Sequence, residues 1–274
     1  IFLGNYKKNV VEKKGIAFER VDLSSIIKKL PFNLTASQKK VLNDIMSDMS
    51  SQSPMRRLIQ GDVGSGKTVL AFLSMYNCAK NGYQSALMVP TEVLAIQHYE
   101  SALNFFGSED IKVELLTKSV KSKEKIYKKI MDGEVDVVIG TQALIQEKVQ
   151  FSKLGLIVTD EQHRFGVNQR KELEQKSEEP ADVIVMSATP IPRTLSLVIH
   201  KDLDISVIDE LPKNRISIKT IAENKKNEVK VFDFIQKQIK LGRQAYIVCP
   251  LVEENEDMDL ISVDELHKKI QTVF

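Results

Sequence analysis

Gly61-Asp62-Val63-Gly64-Ser65-Gly66-Lys67-Thr68 places three glycines, a lysine and two hydroxyls within eight positions. The spacing fits G-x-x-x-x-G-K-[ST], and the chemistry that needs it is phosphate binding. Glycines let the backbone turn so that successive N–H groups face one anion. A helix starting where the loop ends adds its dipole. Lys67 would put a cation on the β- and γ-phosphates of a nucleotide, and Thr68 would offer a hydroxyl to Mg²⁺. The apolar run Leu58-Ile59-Gln60 precedes the loop and a helical stretch follows it. That context separates a working loop from a chance glycine turn. A second candidate is Asp160-Glu161, which closes the apolar run 154–159. On their own, two carboxylates after a strand are most often a solvated loop. Beside a phosphate loop they gain roles, Asp160 as a Mg²⁺ ligand and Glu161 as the group that orients or deprotonates an attacking water.

Bringing these groups together requires a sheet. Short aliphatic runs at 58–59, 86–89, 113–116, 135–139, 154–158 and 183–186 alternate with helical patterns such as 69–80 and 93–106. Short runs that are apolar throughout suit strands buried on both faces. The alternation predicts βαβ units in an α/β domain, a parallel sheet with helices on both faces. Ligands of such sheets bind off the carboxyl ends of the strands, so 61–68 and 160–161 should meet there. The rhythm pauses at 208–215, where Pro212 and Asn214 interrupt a polar segment and predict a linker. A second α/β unit should follow, with strands at 216–221 and 245–251, helices at 229–241 and 263–274, and too few residues for a complete lobe. The polar, Lys-rich segment 5–29 reads as a connecting helix plus loop.

Composition excludes several classes. The chain has 274 residues, 42% hydrophobic and 28% charged, which is globular rather than disordered and suits one large domain or two smaller ones. Lys+Arg is 39 against 37 Asp+Glu, so any basic surface must be local. The Lys-rich stretch 118–129 is one candidate, and a solvated helix face is the simpler reading. No apolar run is long enough to span a bilayer. The start, Ile1-Phe2-Leu3-Gly4, is not a signal peptide and reads as part of a longer chain. Two distant cysteines, Cys78 and Cys249, exclude a disulfide scaffold and a CxxC zinc site, and fit a reducing cytoplasm.

Six blocks in order resemble a superfamily 2 helicase motor. They are Phe32 with Leu34-Thr35-Ala36-Ser37-Gln38, the phosphate loop, Pro90-Thr91-Glu92-Val93-Leu94-Ala95, Ile139-Gly140-Thr141-Gln142, Asp160-Glu161-Gln162-His163, and Ser187-Ala188-Thr189. The extended strings 160–167, 187–194 and 242–251 narrow the resemblance to the RecG family of bacterial ATP-dependent DNA translocases, which remodel stalled forks and branched junctions. The related transcription-repair coupling family typically has Glu-Glu-Gln where this chain has Glu161-Gln162-His163.

The resemblance implies a RecA-like P-loop fold. Residues 1–30 would be a linker from an N-terminal wedge domain, 31–211 the first RecA-like lobe, and 212–274 the beginning of the second. It implies ATP and Mg²⁺ as cofactors, with Phe32 and Gln38 on the adenine and Gly61, Asp62, Val63, Gly64, Ser65, Gly66, Lys67 and Thr68 around the phosphates. Without the resemblance, Gln38 would read as an exposed residue behind a helix cap at Thr35. Thr91, Glu92, Thr141 and Gln142 would meet DNA, although helix capping also accounts for the two threonines. Gln162, His163, Ser187, Thr189 and Arg193 would relay the γ-phosphate state to the DNA side, with a structural histidine as the alternative for His163. An arginine finger should lie beyond residue 274. The implied partners are double-stranded DNA, replication forks and branched junctions, met by a monomeric motor in the bacterial cytoplasm at the nucleoid, with no membrane. The implied activity is fork regression and branch migration. A transcription-repair coupling motor and a non-catalytic, nucleotide-gated binding module are the other readings. Intact Lys67, Thr68, Asp160 and Glu161 argue against the second of these.

Overall fold

The computed structural model describes residues 14–160, 167–188, 203–210, 218–249 and 262–273. Seven strands pair in parallel: β1 Arg56–Gly61, β2 Gln84–Met88, β3 Val113–Leu116, β4 Val137–Gly140, β5 Leu154–Asp160, β6 Asp182–Ser187 and β7 Asp204–Ile208. Their order in the sheet is β3-β4-β2-β5-β6-β1-β7. The helices around it are α1 Ser24–Lys28, α2 Ala36–Met49, α3 Lys67–Lys80, α4 Glu92–Phe106, α5 Lys123–Met131 and α6 Val167–Glu174. Every residue of β2, β4 and β6 is buried, as strands covered on both faces require.

The period of two along a strand splits neighbouring residues between two cores. Ile59, Val158 and Ile184 face the core that holds α2 and α3, with Leu70, Leu73 and Val41. Leu58, Ile157 and Val185 face the other, with Ile126 and Ile130 of α5. The expected RecA-like arrangement of a parallel sheet with helices on both faces is therefore present. At its far end β3 and β4 approach so closely that a Cβ at Gly140 would stand 2.2 Å from the Leu116 carbonyl oxygen. Only glycine fits there. No helix among the described residues is long and apolar enough to cross a membrane.

Residues 14–30 are not a free connection. Ile16, Phe18, Leu23 and Ile26 are buried in the lobe's core. The backbone N–H groups of Glu19 and Val21 donate to the Asn81 and Asn77 side chains of α3, at 2.8 and 3.0 Å. The segment is thus an extended strap ending in the single turn of α1 and belongs to the lobe, so the linker boundary expected at residue 30 does not hold for 14–30. Its apolar residues follow no regular period, and the asparagines that hold it are more than fifty positions away.

The chain divides between Arg215 and Ile216, a few residues beyond the expected boundary at 211. The second unit contains helices Glu228–Lys240 and Val263–Val273, joined by Lys269 to Glu228 at 2.6 Å. The strands expected at 216–221 and 245–251 do not form over their described residues, 218–221 and 245–249. Their β-branched and aromatic side chains lie open, Ile218 at 80%, Tyr246 at 88% and Val248 at 91% exposed. Strand preference is mostly packing against a neighbouring strand, and no ladder reaches these residues.

One buried acid at the amino end of β6 yields a stability prediction. Asp182 is 1% exposed; one carboxylate oxygen accepts from the Met55 N–H at 2.7 Å and the other has no partner. Burial pushes its carboxyl up from 3.8 to about 7. The folded value lies above the unfolded one, so the stability it carries is complete below about pH 4 and is lost as pH rises through 7. Asp182→Asn should remove that slope, which is about 1.4 kcal/mol per pH unit at its steepest. Urea unfolding of both forms at pH 5 and pH 8 should show the variant gaining on the parent at the higher pH. A difference independent of pH would contradict the assignment.

Candidate functional site

β1 ends at Gly61 and α3 begins at Lys67, so the loop between them opens at the carboxyl edge of the sheet. Gly64 and Gly66 have φ of 79° and 90°, left-handed values that favour glycine. The loop closes on itself through the Ser65 N–H, which donates to the Asp62 carbonyl at 3.1 Å. Lys67 Nζ donates to the carbonyls of Gly61 and Asp62, at 2.7 and 3.0 Å, which sets its charge at the loop. The first turn of α3 carries no side-chain cap and no acidic residue, leaving its N–H groups for an anion. The Ser65 hydroxyl is buried without a partner in the same loop.

Gln38 holds this loop from outside. Thr35 caps α2 in a reciprocal capping box: its Oγ1 accepts from the Gln38 N–H at 3.2 Å, and Gln38 Oε1 accepts from the Thr35 N–H at 2.9 Å. The other end of the amide, Nε2, donates to the Ser65 carbonyl at 2.7 Å. The cap at Thr35 therefore exists, and the glutamine is buried at 2% exposure rather than exposed, with both ends of its amide engaged by Thr35 and Ser65. A cavity of about 1500 Å³ extends from Gly64, Lys67 and Thr68 past Gln38 to Phe32 and Phe105. Phe32 is half exposed on its wall.

Sheet order brings the acidic strand to the loop. In β5-β6-β1, Asp160 lies beside Met186, and Ser187 beside Gln60. Asp160, Ser187 and Gly61 therefore end three adjacent strands. Thr68 and Asp160 supply a hydroxyl and a carboxylate, hard oxygen donors that suit Mg²⁺. No group of three or more metal-ligating side chains occurs among the described residues. Glu161, Gln162, His163, Thr189 and Arg193, expected as the water-positioning and relay residues, lie outside the described residues.

The sequence reading missed His98. Its Nε2 stands 3.1 Å from Asp160 Oδ2, with both side chains largely buried. Nothing in the spacing points to it. The contact joins α4, which follows β2, to the end of β5, the strand beside β2 in the sheet.

The other half of the edge, β3-β4-β2, carries the residues expected at DNA. Thr91 caps α4, its hydroxyl accepting from the Leu94 N–H at 3.3 Å. Thr141 precedes the 3-10 turn Gln142–Ile145, and its side chain makes no cap bond. Glu92 accepts from Thr117 Oγ1 at 2.6 Å and from Ser119 Oγ. The Ser119 and Thr117 hydroxyls hold its carboxyl below the usual range. Glu92 therefore fixes the loop after β3 rather than offering itself to phosphates. In the Lys-rich stretch, α5 buries Ile126, Tyr127 and Ile130, while Lys125, Lys128 and Lys129 face solvent and Lys129 pairs with Glu114 at 2.6 Å. The solvated-face reading fits these residues.

Comparison with known proteins follows the same lines. Residues 35–198 match the DEAD/DEAH box helicase family. The chain is similar to the ATP-dependent DNA helicase RecG of Bacillus subtilis, 47% identical over 259 residues, covering 94% of this chain and 38% of that protein. It is also similar to that of Aquifex aeolicus, 43% identical over 274 residues, covering 98% and 35%. Among solved structures, RecG bound to a three-way DNA junction superposes with a TM-score of 0.77 at 40% identity, covering 94% of this chain and 34% of that one. The chain spans well under half the length of each of these relatives.

Proposed function

Because the chain belongs to the DEAD/DEAH box helicase family, we propose that it is the ATP-binding lobe and the start of the second lobe of an ATP-dependent DNA helicase of the RecG kind. Its whole protein would act as a monomer on forks and branched junctions in the bacterial cytoplasm, at the nucleoid. The observation that carries this reading is the carboxyl edge of the sheet. One half, β5-β6-β1, presents Asp160, Ser187 and the phosphate loop. The other half, β3-β4-β2, presents Thr91 and Thr141. The relatives whose names specify RecG support the substrate class.

In this reading the phosphate-loop N–H groups and Lys67 bind the β- and γ-phosphates of ATP. Thr68 and Asp160 would hold Mg²⁺, which when bound neutralises charge on the phosphate oxygens. Glu161 orients the attacking water. Phe32 packs against the base, and the buried Gln38 amide couples the base end of the cavity to Ser65. Ser187, with Gln162, His163, Thr189 and Arg193, passes the phosphate state toward the DNA half. Thr91, Thr141 and Gln142 hold DNA phosphates, where contacts position the duplex without reading sequence.

The test is steady-state ATP hydrolysis by the full-length protein, with a three-way junction, linear duplex or no DNA. The junction should stimulate hydrolysis, and more strongly than linear duplex does. A rate indifferent to DNA would sink the motor reading, and equal stimulation by both DNAs would remove the branched-substrate assignment.

A further inference from the structure

We propose that His98 is a positioning residue for the metal-holding carboxylate of Asp160. The proposal rests on the reading of Asp160 as a Mg²⁺ ligand given above. An ionised carboxylate can only accept hydrogen bonds, so the 3.1 Å contact requires a proton on His98 Nε2. That bond commits Oδ2 of Asp160 to the histidine and fixes the plane of the carboxylate about its strand end. A carboxylate that must meet a bound ion in one orientation gains from such a tether, because the rotamer is selected before the ion arrives.

Three features make this contact more than a chance pairing. His98 is 9% exposed, and its partner's side chain is 15% exposed, so water competes weakly for either group. Asp160 ends β5, within the half of the edge that carries the phosphate loop. Finally, α4 is anchored at its start, where Thr91 caps it and Glu92 ties it to Thr117 and Ser119. The histidine is thus held by a helix whose first turn is fixed to the neighbouring loops. It meets Asp160 where β2 and β5 pair, the seam between the two halves of the sheet edge.

Losing a hydrogen-bond partner of a metal ligand typically costs about 10- to 100-fold in metal affinity. In the full-length protein, His98→Ala should weaken Mn²⁺ binding in the presence of ADP about tenfold, read by electron paramagnetic resonance of free Mn²⁺. The Mg²⁺ concentration for half-maximal ATP hydrolysis should rise in parallel. Affinity for a fluorescent ATP analogue in EDTA should stay within about twofold, because the phosphate loop is untouched. His98→Gln, whose side-chain amide can also donate, should recover most of the Mn²⁺ affinity. His98→Phe keeps a ring without the donor, and it gives the same reading if alanine leaves a void that unfolds the lobe. Unchanged Mn²⁺ affinity in a folded His98→Ala or His98→Phe protein overturns the proposal. So does an equal loss of nucleotide affinity in EDTA, which marks a purely structural histidine. If the parent protein itself binds nucleotide no better with metal than without, the reading of Asp160 fails and takes this one with it. If metal strengthens nucleotide binding in the parent and the variants match it, only the role of His98 fails.

Discussion

Lys67→Ala is expected to lower the turnover of ATP by about a hundred- to a thousandfold, the loss that follows removal of one preorganised electrostatic group facing developing charge. The expectation rests on where the amino group sits. Nζ lies within 3.0 Å of the Gly61 and Asp62 carbonyls, on the loop between β1 and α3. A cation there meets the β- and γ-phosphates as charge accumulates on them in the transition state. Alanine also removes a support of the loop itself, so ground-state ATP binding should weaken as well. The half of the sheet edge proposed to meet DNA is formed by other strands, so affinity for a three-way junction should change little. Parallel measurements of kcat, ATP affinity and junction affinity separate these effects. Turnover close to that of the parent protein would mean that Lys67 does not face the phosphates.

Much of this was legible in the sequence, and the reasons differ from residue to residue. The runs at 154–158 and 183–186 announce strands because a strand covered on both faces must be apolar at every position. The phosphate loop announces itself because its backbone geometry demands glycine at particular places, as φ at Gly64 and Gly66 bears out. Contacts set by the order of strands were not legible. His98 reaches Asp160 because β2 pairs with β5, and no local pattern encodes which strands become neighbours. The strap 14–30 was hidden for a related reason: two of its N–H groups are satisfied by Asn77 in α3 and by Asn81, which caps that helix, polar residues whose role propensity alone does not reveal. Glu92 shows a third kind of limit. Its place at the start of α4 was evident, but whether it faced DNA or its own chain depended on Thr117 and Ser119. In the second unit, residue types such as Tyr246 and Val248 led to strands being expected that do not form over the described residues, because preference does not make a strand without a partner.

Gly66→Ala is the second large effect, and it tests how the capping box and the phosphate loop act on each other. Gly66 has φ of 90°, where an L side chain costs about 1–2 kcal/mol. Its added Cβ would stand 2.3 Å from Gln38 Nε2. The glutamine is a flexible side chain in principle, but here one end is held by the Thr35 N–H and the other by the Ser65 carbonyl. Moving it breaks the bond to Ser65, worth about 1 kcal/mol net. Together these terms come to about 2–3 kcal/mol, or close to a hundredfold in ATP affinity if the loop absorbs them. The sheet does not touch the new methyl, so the thermal midpoint should fall only slightly. Gln38→Ala alone should weaken ATP less, because it frees the loop without distorting it. In the double variant the clash has no partner, so its loss should be smaller than the sum of the two single losses by at least about 0.5 kcal/mol, the usual size of coupling between touching residues. Strict additivity would place the whole effect in the backbone conformation of residue 66. Unchanged ATP affinity in Gly66→Ala would mean that the nucleotide does not depend on this turn, and the assignment of the loop would fall.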